Sequence, residues 1–213
     1  MIRQPGDLLP RPVGGWSPQG GERGRVDVVT TNEERAVLTL VLGGTRSGKS
    51  EVAERLITDQ AGPRAAVTYV ATGSRPDDGL DAEWTARIQA HRLRRPTTWS
   101  TVEVGPGADL GEGIRDLDSP VLVDSLGTWV ARFPGFDCDP DRLCADLLAR
   151  STRGRGPTVI VSEEVGLGVH PPTAVGVAFA DSLGTVNRKV ASVADRVLLV
   201  VAGRVLSLSE GGA

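Results

Sequence analysis

One stretch constrains this chain more than any other: VLTLVLGGTRSGKSEVAERLI, from Val37 to Ile57. It opens with an apolar, β-branched run, Val37 to Leu42, that reads as a buried strand. From Gly43 the residues fit G-x-x-x-x-G-K-S/T, with Gly43, Gly48, Lys49 and Ser50 in the fixed places. Beyond Ser50 the pattern becomes helical: Val52, Leu56 and Ile57 share a face that excludes Glu51, Glu54 and Arg55. Strand, glycine loop and helix in this order are the setting a phosphate-binding loop requires, which a chance glycine-rich turn lacks. The loop glycines Gly43, Gly44 and Gly48 let backbone N–H groups turn inward as an anion nest. The helix beginning near Lys49 aims its positive dipole end at the same place. Lys49 is expected to reach the β- and γ-phosphates, and the Ser50 hydroxyl to bind Mg²⁺.

The remaining composition narrows the class. At 213 residues the chain is long enough for one domain with a sizeable core. A formal net charge of −3 argues against general nucleic-acid binding. No apolar stretch has transmembrane length and the N-terminus has no apolar signal core, so a cytoplasmic protein is expected. Cys138 and Cys144, in FDCDPDRLC, have no second Cys or His cluster beside them and read as plain thiols rather than a zinc site. Residues 1–35 carry proline and glycine without apolar periodicity and read as a disordered extension, leaving 36–213 as the domain.

Strands and helices alternate after the loop. Ala65 to Val70 reads as a second strand, with Ala71-Thr72-Gly73 as its carboxyl-end turn, where open α/β sheets carry ligands. A helix is expected from Leu80 to Leu93, with Leu80, Trp84, Ile88 and His91 on one face. Thr98 to Val104 alternates as a strand, and Val121 to Val123 forms another that ends at Asp124. An acid in that place is the Walker B arrangement, aiming a carboxylate at the Mg²⁺ shell. Asp139 and Pro140 open a helix running to Arg150, and RSTRGRGP reads as a basic, solvated turn. Thr158 to Val161 is a strand. A long helix follows, with Val175, Phe179, Leu183, Val186, Val190 and Val193 on one stripe. RVLLVVAGRVLSL closes the chain as a strand pair turned at Ala202-Gly203. The expected fold is therefore α/β: a P-loop NTPase (RecA-like), mostly parallel sheet flanked by helices, with an antiparallel edge hairpin.

A second chemical centre hangs on His91, which is followed by Arg92, Arg94 and Arg95. From the residues alone two readings stand. One is a histidine closing an apolar helix face with a solvated basic end. The other is a nucleophilic imidazole attacking an α-phosphate, with arginines neutralising charge. His170, in GVHPP, reads as a surface residue.

GGTRSGKS, YVATG, ARIQAHRLRRPTTW, VLVDSLGTWV, VSEEVGLGVHP and DSLGTVNRKVASVADRVLLVVAG occur in this order. Together they resemble the bifunctional adenosylcobinamide kinase / adenosylcobinamide-phosphate guanylyltransferase family across roughly Leu38 to Leu208. The resemblance implies phosphorylation of the aminopropanol hydroxyl of adenosylcobinamide by ATP or GTP. It then implies transfer of GMP from GTP through a histidine–GMP intermediate on His91, with Mg²⁺ as cofactor. It further implies small-molecule substrates and a homotrimer, while the net charge already argues against a nucleic-acid partner. The candidate catalytic residues are His91 and Lys49. The candidate nucleotide-binding set is Gly43, Gly44, Thr45, Arg46, Ser47, Gly48, Lys49, Ser50, Glu51, Ala71, Thr72, Gly73, Arg92, Leu93, Arg94, Arg95, Glu103 and Asp124. Ser50 and Asp124 are the candidate metal ligands. Glu163 departs from the family's pattern, in which Asn precedes the position of Glu164. Two rivals share the phosphate loop: another small-molecule kinase, and a GTP-binding switch. Asp124-Ser125-Leu126-Gly127 matches the switch's D-x-x-G, but no N-K-x-D follows, since Asn187-Arg188-Lys189-Val190 lacks the acid.

Overall fold

A computed structural model describes residues 35–73, 89 and 93–209. The expected helix from Leu80 to Leu93 lies outside the described residues except for Gln89 and Leu93, and so do His91 and Arg92. The proposed N-terminal extension also lies outside them, apart from Arg35. Arg35 itself is tied to the domain by an ion pair with Asp195 at 2.9 Å and a bond to Ser151 Oγ at 2.9 Å.

The strands are β1 (Leu38–Gly43), β2 (Thr68–Ala71), β3 (Ser100–Glu103), β4 (Val121–Asp124), β5 (Thr158–Glu163), β6 (Arg196–Val201) and β7 (Arg204–Leu208). They form one seven-stranded sheet in the order β3-β2-β4-β5-β1-β6-β7. Every neighbouring pair is parallel except β6–β7, which is antiparallel and supplies the expected edge hairpin. The fold is thus the mostly parallel P-loop α/β sheet that the alternation of strands and helices anticipates.

The pleat explains the two cores. Leu38, Leu40 and Leu42 of β1 point to one face, where they pack with Val121, Val123 and Ile160. That face is covered by α2 (Leu110–Arg115), α3 (Leu126–Val130), α4 (Pro140–Thr152) and α5 (Ala174–Val193). Val41 points the other way and joins Leu122, Val159 and Val161 against Val52, Ala53 and Ile57 of α1 (Lys49–Ala61). Central strands covered on both faces read as unbroken apolar runs, which is why β1 and β5 are legible in the sequence.

Two expectations need correction. Val175 is 67% exposed, because it sits in the first turn of α5; the buried stripe begins at Phe179 and continues through Leu183, Val186 and Val190. Arg150 is not solvated but 1% exposed. Its guanidinium donates to Thr158 Oγ1 and to the carbonyls of Ile114, Leu117, Ser119 and Arg155. Glu54 lies off the apolar face, as expected, and its side chain, 13% exposed, pairs with Arg94. Cys138 and Cys144 are free thiols, Cys144 buried and Cys138 packed against the core. No helix among the described residues is long and apolar enough to cross a membrane.

Candidate active site at the carboxyl edge of the sheet

Register lines up the candidate residues along one edge. Gly43 ends β1 opposite Glu163 of β5, and Ala71 ends β2 opposite both Asp124 of β4 and Glu103 of β3. All five strands point the same way, so their last residues share the carboxyl edge, the ligand-bearing side of an open α/β sheet.

The phosphate loop leaves that edge at Gly43. A Cβ there would lie 2.5 Å from Ser47 Oγ and 2.8 Å from the Val200 carbonyl, so only glycine fits. Gly48 is needed for a different reason: it caps α1 at φ 91°, in the left-handed region. Arg46 also lies there, at φ 57°, and carries the loop's backbone strain. Gly44 has open space around it and no positive φ, so neither constraint applies to it. Gly44, Thr45 and Arg46 are exposed, while Ser47 and Lys49 are buried. The β6–β7 turn braces the loop from outside, Gly203 N donating to the Ser47 carbonyl at 2.8 Å.

Two features mark the loop as a phosphate cradle. The Ser47 hydroxyl is buried with no hydrogen-bond partner among the described residues. Lys49, 5% exposed, holds its ammonium 3.4 Å from the Gly44 carbonyl and 3.5 Å from Glu163 Oε1. A helix N-terminus and a buried ammonium at the end of a glycine-bearing loop fit the phosphates of a nucleotide. For magnesium the site offers hard oxygen donors, the Ser50 hydroxyl and the Asp124 carboxylate. No group of three or more His, Cys, Asp or Glu side chains among the described residues could cage an ion. Magnesium needs no such cage, because it binds through one or two carboxylates and the substrate's own phosphates.

Glu163 sits between the loop and β4. Its carboxylate accepts from Ser125 Oγ at 2.9 and 3.0 Å and from Gly127 N at 3.0 Å, besides pairing with Lys49. Ser125 follows Asp124 through a cis peptide and caps α3. Thr72 is buried, and its hydroxyl is spent on this junction: it accepts from Ser125 N at 2.8 Å and bonds Thr128 Oγ1 at 2.6 Å. Arg132 fixes the neighbouring turn by donating to the carbonyls of Thr72, Gly73 and Val104 at 3.2, 2.8 and 3.0 Å.

On the other side of Asp124 lies the arginine turn. Tyr69 OH donates to Asp124 Oδ2 at 3.0 Å, and Arg95 stacks over the Tyr69 ring. Arg94 pairs with Glu54 at 3.4 Å. Burial raises the Glu54 carboxyl above its ordinary range, with Asp124 adding to the rise and Arg94 opposing it. Burial and the Asp124 charge push the Tyr69 hydroxyl up as well, keeping it a proton donor. Leu93 is 87% exposed and Glu51 is exposed; Glu103 is exposed at the end of β3. His170 lies on the surface, its Nδ1 3.2 Å from the Pro171 carbonyl.

Lys49, Asp124 and the loop are thus brought to one edge, with Arg95 linked to Asp124 through Tyr69 and Arg94 paired with Glu54. Sequence reasoning missed Arg132, Glu54 and Tyr69 as parts of this edge. It noted Glu163 only as a departure from a pattern; its place at the end of an apolar strand beside β1 was the available signal.

The family described as "Cobinamide kinase / cobinamide phosphate guanyltransferase" matches residues 39–208. The chain is 36% identical over 183 residues to the bifunctional adenosylcobalamin biosynthesis protein CobU of Escherichia coli, covering 78% of this chain and 97% of that protein. It is 36% identical over 169 residues to the bifunctional adenosylcobalamin biosynthesis protein CobP of Pseudomonas aeruginosa, covering 77% and 92%. Among solved structures, the flagellar accessory protein FlaH of Methanocaldococcus jannaschii is similar at a TM-score of 0.48 and 14% identity, over 81% of this chain and 76% of that one. The first two comparisons leave no choice of family: the chain belongs to the cobinamide kinase / cobinamide phosphate guanyltransferase family, a family of transferases.

Proposed function

We propose that this chain phosphorylates adenosylcobinamide with ATP or GTP and then transfers GMP from GTP to the product, giving adenosylcobinamide-GDP. The observation that carries the reading is the carboxyl edge itself: a buried Lys49 at the end of the glycine-bearing loop and the Asp124 carboxylate at the end of β4 lie on the same edge of the sheet in a chain of this family.

In the kinase step the aminopropanol hydroxyl attacks the γ-phosphorus. The bond to the β,γ-bridging oxygen breaks, and the hydroxyl proton passes to solvent. Lys49 neutralises charge on the β- and γ-phosphates, and the loop N–H groups hold them in line. Ser50 and Asp124 would hold magnesium, which when bound neutralises phosphate charge.

In the guanylyl step the His91 imidazole attacks the α-phosphorus of GTP. A P–N bond forms, the α,β-bridging P–O bond breaks, pyrophosphate leaves and the ring sheds a proton. The phosphate oxygen of adenosylcobinamide phosphate then attacks the same phosphorus, the P–N bond breaks, and the imidazole leaves carrying a proton. By the family resemblance the working form is a homotrimer, which sedimentation would check.

The test uses GTP labelled at the α-phosphate. Label is expected on the peptide containing His91, stable in base, released by acid and absent from His91→Ala. Wild-type and His91→Ala proteins forming adenosylcobinamide-GDP equally fast would rule out the covalent step.

A further inference from the structure

Glu163 places a fixed negative charge inside the phosphate cradle. Two donors that do not depend on Lys49 hold its carboxylate: Ser125 Oγ at 2.9 Å and Gly127 N at 3.0 Å. The backbone beneath is also pinned. Asn187, 7% exposed, donates to the Glu163 carbonyl at 3.0 Å and accepts from Ser162 Oγ at 2.6 Å, while Glu164 N donates to the Gly43 carbonyl at 3.1 Å. The carboxylate therefore stays where it is when a nucleotide arrives. Lys49 has little freedom to leave it, being 5% exposed and 3.5 Å away.

We propose that Glu163 is a specificity-determining residue that makes the phosphate loop select the magnesium complex of a nucleoside triphosphate over the bare anion. An incoming triphosphate must share the Lys49 ammonium with a carboxylate that cannot retreat. A bare triphosphate carries more negative charge than its magnesium complex, so the same fixed charge repels it more. Partly buried charges such as Lys49 and Glu163 are screened by salt less than exposed ones, so the penalty persists at physiological ionic strength. Glutamine at this position would keep an acceptor for Ser125 and Gly127 and remove the charge, while the shorter asparagine would remove the charge and give up those bonds.

The inference rests on the nucleotide reading above, and its test separates the two. GTP binding is measured calorimetrically for wild type, Glu163→Gln and Glu163→Asn, in Mg²⁺ and in EDTA, without corrinoid. Wild-type binding in Mg²⁺ tests the nucleotide reading; the ratio between the two conditions tests the role of Glu163. Both variants are expected to bind metal-free GTP about tenfold more tightly than wild type, with a much smaller change in Mg²⁺. Metal-free affinity that is unchanged or weaker in the folded variants would overturn the proposal. So would a loss confined to the Mg²⁺ arm, since that would make Glu163 a holder of the metal.

Discussion

Tyr69 donates its hydroxyl to Asp124 Oδ2 at 3.0 Å, while Arg95 lies over the same ring, 3.6 Å from its centroid. One side chain thus connects the arginine turn to the carboxylate offered to magnesium. The hydroxyl stays protonated, because burial and the Asp124 charge both resist its ionisation. Asp124 therefore always finds a donor on that side and keeps one orientation. Tyr69→Phe keeps the ring under Arg95 and removes only this bond. A hydrogen bond to a charged group contributes about 1.5–3 kcal/mol. The Mg²⁺ concentration for half-maximal turnover is expected to rise by roughly tenfold, read from a Mg²⁺ titration. An unchanged requirement would show that the bond does not orient the carboxylate.

The loop glycines separate by mechanism. Gly43→Ala puts a methyl 2.5 Å from Ser47 Oγ and 2.8 Å from a backbone carbonyl, whereas Gly44→Ala meets nothing within 4 Å. Overpacking of this kind costs about 1–3 kcal/mol. Gly43→Ala should lower the melting temperature by several degrees and Gly44→Ala should not, by thermal denaturation of both proteins side by side. Equal melting temperatures would mean that the close approach at Gly43 relaxes freely.

What was legible in the sequence follows from what each feature depends on. The phosphate loop is local, and G-x-x-x-x-G-K-S placed between Val37–Leu42 and Val52–Ile57 could hardly fold otherwise. The parallel sheet followed from buried strands alternating with helices. Helices α2 and α3, of six and five residues, escaped because they are too short to show a period. Their caps were readable: Asp109 accepts from Glu112 N at 2.9 Å, and Ser125 and Thr128 form a capping box. Arg132 and Arg150 were opaque for another reason. Their partners are backbone carbonyls brought together by strand order, which no spacing in the sequence encodes. Glu54 and Tyr69 belong to the site only because α1 and β2 lie next to the arginine turn, again a matter of topology.

Glu54 gives a pH signature. Its folded-state pKa is raised, chiefly by burial, so the folded chain binds this proton more readily than the unfolded chain. Between the ordinary glutamate range and the raised value, stability must therefore fall as pH rises. Glu54→Gln removes the titration while keeping a hydrogen-bonding partner for Arg94. Chemical denaturation across the mildly acidic range should show a flatter stability profile in the variant. A variant whose slope matches wild type would assign that pH dependence to other groups.

Arg150 is the strongest stability prediction. It is a cation, 1% exposed, whose pKa burial lowers to about 10, leaving it charged at neutral pH. No carboxylate pairs with it among the bonds it makes; instead it gathers the carbonyls of Ile114, Leu117, Ser119 and Arg155, and Thr158 Oγ1. These belong to α2 and its connection to β4, the turn after α4 and the start of β5, so one guanidinium joins segments distant in the chain. Arg150→Met has comparable length and no donors. It spares the cost of burying a charge but strands several carbonyls, each at about 1–3 kcal/mol. A net loss of about 3 kcal/mol corresponds to roughly 6–12 °C in melting temperature for a domain of this size. GTP binding measured well below the transition should be retained, because Arg150 touches none of the loop residues. If Arg150→Met melts within a degree or two of wild type, water or neighbouring donors replace the guanidinium and its burial is only tolerated.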